Sequence, residues 1–355
     1  MSSLLDRMRG AGSIKMSNVL SKSDFFAEKD QTPTKFPILN IALSGKLDGG
    51  LTSGLTVLAG PSKHFKSLAG LVLVQAYMSK HKDAICLFYD SEFGITPEYI
   101  SSNGIDTDRV LHIPIEHIEQ LKFDLSKRLE EVKRGDKVIV FCDSIGNLAS
   151  KKEVEDALEE KSVSDMTRAK QIKSLFRIIT PHFTTKDIPG IFINHTYQTQ
   201  EMYSKAVVSG GTGVMYSSDT VIIFGKSQEK DGSDLAGWTF TMNIEKSRRV
   251  KEKSKLPFTV MYEGGIKKWS GMLDIALDLG FVKKPSNGWY SRVDMETGEI
   301  EEQKFREKDT HTNEFWDKLM KDKLFHSAIE KRFMVGSSSL ITDDDIDAQL
   351  ESVDD

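Results

Sequence analysis

Lys66, Ser67, Glu92, Asp143 and His195 are residue types that handle phosphate, protons and divalent cations, and each stands at or just past the end of an apolar run. The densest signal is Gly54-Leu-Thr-Val-Leu-Ala-Gly-Pro-Ser-Lys-His-Phe-Lys-Ser67. Leu55 to Leu58 reads as a short buried strand, Gly60-Pro61 breaks it, and a helical pattern resumes over Lys66–Ser79. A strand, a tight loop and a helix N-terminus make a phosphate cradle, because loop N–H groups and the positive end of the helix dipole point at one anion. Gly60, Pro61, Ser62, Lys63, His64, Phe65, Lys66, Ser67 and Leu68 would form it, with Lys66 on the β- and γ-phosphates and the Ser67 hydroxyl on Mg²⁺. The motif G-x-x-x-x-G-K-[ST] asks for glycine where this chain has Phe65, a cost wherever the backbone needs positive φ.

Asp143 ends the apolar run Val138–Cys142 and is placed to hold the Mg²⁺ shell. Glu92 follows the run ending at Tyr89 and is placed to polarise an attacking water. His195 follows Ile191–Asn194. Each has a plainer alternative: an exposed lysine after a turn, a solvated glutamate, an aspartate capping the next turn, a histidine that packs.

The elements that must position these residues alternate from Phe36 to Gly225. Strands are expected at 55–58, 84–89, 110–113, 138–142, 191–194 and 220–224, with helices at 66–79, 116–132 and 164–179. Consecutive apolar runs between amphipathic helices argue for an α/β fold with a mostly parallel sheet covered on both faces. Ligands bind such sheets at the carboxyl ends of the strands, where these residues gather. The sheet continues with strands at 238–244 and 258–262. A small C-terminal unit follows from Gly271, with a helix at 272–279, a hairpin around Thr297-Gly298 and a helix at 315–331.

The chain of 355 residues is 39% hydrophobic and 28% charged, ordinary values for a globular protein. It contains no long uncharged apolar run, so no membrane partner is expected. Cys86 and Cys142 fall in expected strands and read as core residues of a reducing compartment. From Ile341 to Asp355 there are seven acidic and no basic residues, so a net charge of −5 becomes +2 for the rest. A mildly basic body with an acidic tail is common among proteins that handle nucleic acid. Segment 147–164 is rich in charge. Segment 196–213 holds Tyr197, Met202, Tyr203, Lys205, Gly210, Gly211, Thr212 and Gly213, a mixture suited to tracking a single-stranded backbone. Between Lys246 and Lys255 lie six basic residues and one acid, able to contact phosphates. Phe25-Phe26 in a polar arm suggests a docking plug.

Taken together, these residues resemble the RecA-type strand-exchange recombinases, nearest to their branch from T-even-like phages. The likeness covers about residues 30–335. It rests on the 60–67 loop, Leu87–Pro97, Asp143–Lys152, Ser164–Lys170, Phe192–His195, Gly211-Thr-Gly213, the basic run and Asn287-Gly-Trp-Tyr290. Four regions follow: an N-terminal polymerisation arm (1–35), a RecA-like P-loop ATPase core (36–270), a small C-terminal α+β domain (271–335) and an acidic tail (336–355).

The resemblance implies a DNA-dependent ATPase, using ATP and Mg²⁺, that forms helical filaments on single-stranded DNA. It also implies strand exchange with homologous duplex in recombination, repair and recombination-dependent replication. It makes Glu92 the catalytic carboxylate, Tyr99 the aromatic stacked on adenine, and Asp143 the Walker B acid. His195 stands where bacterial members carry a γ-phosphate-sensing glutamine. The segments with Lys151 and Lys152, and with Tyr197 to Gly213, become DNA-binding loops; Lys246 and Arg248 reach a neighbour's nucleotide. Partners implied are a single-strand DNA-binding protein and a mediator, in the cytoplasm of a phage-infected bacterium. A RecA-fold hexameric helicase would share Lys66, Asp143 and the sheet but close a ring.

Overall fold

The computed structural model describes residues 4–14, 17–23, 29–159, 167–199 and 205–336; Phe25, Phe26, Tyr203 and the acidic tail from residue 337 lie outside the described residues. In chain order the strands are β1 (Gly54–Ala59), β2 (Ile85–Asp90), β3 (Val110–Pro114), β4 (Val138–Asp143), β5 (Pro189–Asn194), β6 (Thr196–Gln198) and β7 (Ala206–Val208). They continue as β8 (Thr220–Asp231), β9 (Asp234–Ser247), β10 (Lys255–Met261), β11 (Gly265–Ile266), β12 (Val282–Ser286), β13 (Trp289–Arg292) and β14 (Phe305–Arg306). The helices are α1 (Leu4–Ala11), α2 (Pro37–Ser44), α3 (Lys66–Lys80), α4 (Pro97–Ser102), α5 (Ile118–Glu131) and α6 (Lys151–Leu158). Then come α7 (Thr167–Thr185), α8 (Thr212–Ser217), α9 (Met272–Asp278), α10 (Asn313–Trp316) and α11 (Lys323–Phe333).

Nine strands form one sheet in the order β11-β10-β9-β8-β1-β5-β4-β2-β3. From β3 to β8 every pairing is parallel, and β8 to β11 extend the sheet as antiparallel neighbours. β1, β4 and β5 are buried along their whole length, which explains their continuous apolar runs. One face packs on α3 through Leu71, Val74 and Met78, the other on α5 and α7 through Leu121, Leu125, Leu175 and Phe176. Register levels the strand ends: Ala59 lies opposite Asn194, and Asp90 opposite Asp143. A single rim therefore carries the residues that follow β1, β2, β4 and β5.

Several expected boundaries shift, for local reasons. α7 runs past Ile179 and through Pro181, and Phe183 at its end is buried against Phe192 and Gly190. The charged 147–164 segment contains helix α6, opened by a reciprocal Ser150–Glu153 capping box. In the C-terminal unit the β12–β13 hairpin turns at Asn287-Gly288, the Asn-Gly signal that tight hairpins favour. Thr297-Gly298 makes a second turn, flanked by the Val293–Ile300 bridge. The helix expected over 315–331 is broken, because the Asp322 carboxylate caps Leu324 and Phe325 and starts α11 afresh. This unit shares the core beneath the sheet: Trp269 stacks on Trp316 at 5.5 Å, and Phe281, Phe325 and Phe333 belong to the same cluster. α1 has no buried residue. Among the described residues no helix is long and apolar enough to cross a membrane.

Candidate functional site

The chain leaves β1 at Ala59, turns through Gly60 to Phe65 and enters α3 at Lys66. Pro61, Ser62 and Lys63 are exposed, and His64 Nδ1 lies 2.9 Å from the Ser62 carbonyl oxygen. Phe65 has φ 64°, the left-handed conformation that the motif's glycine would adopt. For a side-chain-bearing residue this costs about 1–2 kcal/mol. Its ring stacks on Phe240 at 5.0 Å and meets Phe258 edge-on at 5.2 Å. Aromatic pairs contribute about 0.5–1.5 kcal/mol each beyond area burial, so the two contacts offset the strain. The departure from the motif is thus accommodated by β9 and β10, far away in sequence.

Lys66 is buried and its Nζ donates to the Pro61 carbonyl at 2.7 Å. Burial lowers its pKa from the ordinary lysine value, while Glu92 and Asp143 act in the opposite sense. Asp143, also buried, is pushed up to about 6, chiefly by burial; a hydrogen bond from the Ser67 side chain opposes this, and Glu92 and Asp90 add to it. Asp143 Oδ1 is buried with no hydrogen-bond partner. An orphaned carboxylate oxygen beside a serine hydroxyl fits Mg²⁺, which takes one or two carboxylates and leaves the rest of its shell to water and phosphate. Among the described residues no three His, Cys, Asp or Glu side chains group into a metal cage.

Glu92 lies in the loop after β2, and Asp90 positions it. The buried Asp90 Oδ1 accepts from the backbone N–H groups of Glu92 (3.0 Å) and Phe93 (2.8 Å), and Oδ2 lies 3.1 Å from His112 Nε2. Three donors converge on Glu92 Oε1: Ser144 Oγ at 2.8 Å, Asn147 Nδ2 at 2.9 Å and His195 Nε2 at 3.2 Å. His195 is in turn anchored by its own N–H on Asn194 Oδ1 and by its carbonyl, which accepts from Ser209 N–H at 2.9 Å. Ser144, Asn147 and Asp90 were not singled out in the sequence. Asp90-Ser-Glu92 and Asp143-Ser-Ile-Gly-Asn147 offered polar residues at strand ends, but nothing said that they point at one oxygen.

Arg168, at the start of α7, ties the two rim segments together. It donates to the carbonyls of Ile145, Gly146 and Leu148 and to Ser209 Oγ, and burial lowers its pKa. A Cβ on Gly146 would lie 2.3 Å from the His195 ring, so only glycine lets these segments touch.

The other expected residues are dispersed. Tyr99 sits half exposed on α4, whose last residue, Ser102, with Asn103 lines a cavity of about 510 Å³ shared with Leu68, Val72, Val260 and Gly264. Lys151 and Lys152 occupy the first turn of α6 and pair with Glu155 and Asp156. Tyr197 is exposed on β6, which pairs with β7 to form the base of the second segment, and Lys205 N–H donates to Thr199 Oγ1. Gly210 and Gly213 lie against Ile172 and Lys173 of α7, where a side chain would collide, and Gly211 precedes Thr212 at the start of α8. Lys246 and Arg248 are not brought to Lys66 within the chain. Lys246 Nζ donates to the Met215 and Tyr216 carbonyls, and Arg248 pairs at 3.0 Å with Asp219, which binds Leu55 N–H at the start of β1.

The family described as RecA N-terminal domain matches residues 5–267. The family described as Bacteriophage T4, Recombination and repair protein, C-terminal domain matches residues 269–329. The Recombination and repair protein of Enterobacteria phage T4 is 56% identical over 358 residues, covering 99% of this chain and 92% of that protein. Protein RecA of Cutibacterium acnes is 26% identical over 81% of this chain and 82% of its own length, and Protein RecA of Nocardia farcinica 26% over 84% and 85%. By these matches the chain belongs to the RecA family of recombination proteins, in the branch of the phage T4 recombination and repair protein.

Proposed function

We propose that this recombinase hydrolyses ATP in response to single-stranded DNA, assembles on it as a helical filament, and exchanges strands with homologous duplex. The observation that carries the nucleotide part is the conjunction of buried Lys66, Ser67 and the orphaned Asp143 Oδ1 under one loop, with Glu92 across the rim. Lys66 meets the β- and γ-phosphates and stabilises charge that develops during transfer. Ser67 and Asp143 would hold Mg²⁺, which supplies neutralisation of the phosphate oxygens. Glu92 orients the attacking water and accepts its proton. Tyr99, exposed on α4, stacks against the adenine. Lys151, Lys152 and the β6–α8 segment contact the DNA backbone. Lys246 and Arg248, distant from their own phosphate loop, serve a neighbouring subunit's nucleotide, and the N-terminal arm docks on the next subunit. A domain division near residue 270, a single-strand DNA-binding partner and a loading mediator complete the reading.

The test is ATP turnover with and without single-stranded DNA, together with electron micrographs of the complexes. Glu92→Gln is expected to bind ATP, lose turnover by at least about a hundredfold and leave long-lived open filaments, since only the base is removed. Turnover at the original rate, or closed rings in place of filaments, would overturn the proposal.

A further inference from the structure

Glu92 is held by side chains from two segments proposed to touch DNA. Ser144 and Asn147 come from the segment after β4, and His195 opens the segment after β5. All three reach the same oxygen, Oε1. A carboxylate oxygen offers about two lone-pair positions, so three donors saturate it and hold the side chain in one orientation. Of the three, Asn147 is the exposed one, whereas Ser144 is fully buried and also bonded through its backbone to Ser91.

Asn147 is close in the chain to a place where DNA can act. Three residues on, Ser150 caps α6 in a reciprocal box with Glu153, so Lys151 and Lys152 ride on a helix whose start is firmly set. Both lysines are engaged by acids of the same helix, Lys151 by Glu155 at 3.6 Å and Lys152 by Asp156. Such exposed pairs are weak, and a phosphate backbone competes for the same ammonium groups. The helix is docked from below by Glu119, whose carboxylate accepts from Lys151 N–H at 2.9 Å. Between the helix cap and the Glu92 contact, the Ala149 carbonyl accepts from Ile118 N–H at 3.0 Å and the Leu148 carbonyl from Arg168 at 2.6 Å, so a pull on α6 reaches Asn147 by shifting these backbone contacts together.

We propose that Asn147 is a positioning residue that restrains Glu92 through Oε1 and is drawn off it when DNA engages α6, so that this one amide sets how strongly ATP turnover depends on DNA. The inference rests on the reading of Glu92 as the base. A ligand shifts such an equilibrium only by the contacts it makes differently in the two states; here those contacts are the lysines, and the released contact is the Asn147 amide.

The experiment is steady-state ATP turnover of the full chain, with and without single-stranded DNA, for Asn147→Ala and for Asn147→Asp. The second keeps the shape and replaces the donating amide by an acceptor. Both are expected to raise DNA-free turnover about tenfold, ~1.4 kcal/mol of barrier, and to lower the stimulation ratio by the same factor. The ratio is the deciding quantity, because a loss of folded molecules scales both rates alike. A stimulation ratio that is unchanged or raised in both variants overturns the proposal. The double variant Glu92→Gln/Asn147→Ala must stay at the level of Glu92→Gln; recovery of the tenfold rise there shows a route that bypasses Glu92 and overturns it too. Full turnover in Glu92→Gln alone removes the base reading instead, so the two failures are distinguishable.

Discussion

Phe65 shows how one side chain can satisfy a site that its neighbours in sequence do not explain. The position needs a left-handed backbone, and the residue there is held by rings from β9 and β10. Replacing it separates the two contributions. Phe65→Ala keeps the strain and loses the ring, whereas Phe65→Gly loses the ring but relieves the strain. Glycine is therefore expected to be the milder change, by about 1 kcal/mol, the reverse of the two residues' ranking inside a helix. Denaturant unfolding of the two variants checks this, and a glycine variant less stable than the alanine one would show that the ring alone matters. Lys66 and Asp143 were legible from type and spacing, because a lysine before serine at a helix start and an acid closing an apolar strand are chemically specific. The Asp143–Ser67 hydrogen bond was not, since it joins residues whose spacing along the chain is arbitrary.

Among the elements, the segments after β4 and β5 act as a pair. Arg168 fastens both, Gly146 lets them touch, and His195 spans from Glu92 to Ser209. His195→Ala is expected to leave ATP binding within about threefold but to abolish the tightening of DNA binding by nucleotide, and equally the tightening of ATP binding by DNA, because coupling is reciprocal. Titration of single-stranded DNA with and without a non-hydrolysable ATP analogue measures it. A variant that loses stability yet retains the nucleotide-dependent rise in DNA affinity would reduce His195 to packing. α6 and the broken C-terminal helix were the hardest elements to foresee. α6 has no buried residue to give it a helical stripe, and α11 begins at Asp322 by local capping inside an apparently continuous pattern.

At the scale of the whole molecule, charge and continuity of packing decide the behaviour. α2 and the C-terminal unit share the core under the sheet, and the left-handed Gly45 after α2 lies where a Cβ would meet Met334 at 2.5 Å. Val335 N–H then donates to the Arg249 carbonyl at 2.8 Å, so the end of the described chain lies beside the basic run. Removing residues from Thr342 onward is expected to strengthen binding to duplex DNA several-fold at about 50 mM salt and to have little effect by about 200 mM, since competition between carboxylates and phosphates is screened. Binding measured across that range tests it. Equal affinities at low salt would make the tail a solubility or partner-binding segment.

The sequence by itself determined the layered α/β architecture, the phosphate loop, the strand-end acids and the resemblance to recombinases, because these depend on local periodicity and on residue types at fixed spacing. Only the tertiary structure decided that β8 joins the parallel sheet beside β1 and β9 to β11 continue it antiparallel, that Phe240 and Phe258 make Phe65 tolerable, and that Lys246 and Arg248 lie away from their own phosphate loop. It also decided that Ser144, Asn147 and His195 meet on one oxygen of Glu92. The physical reason is strand register: Asp90 opposite Asp143, and Ala59 opposite Asn194, are set by packing across the sheet, and no pattern along the chain encodes which strand ends become level.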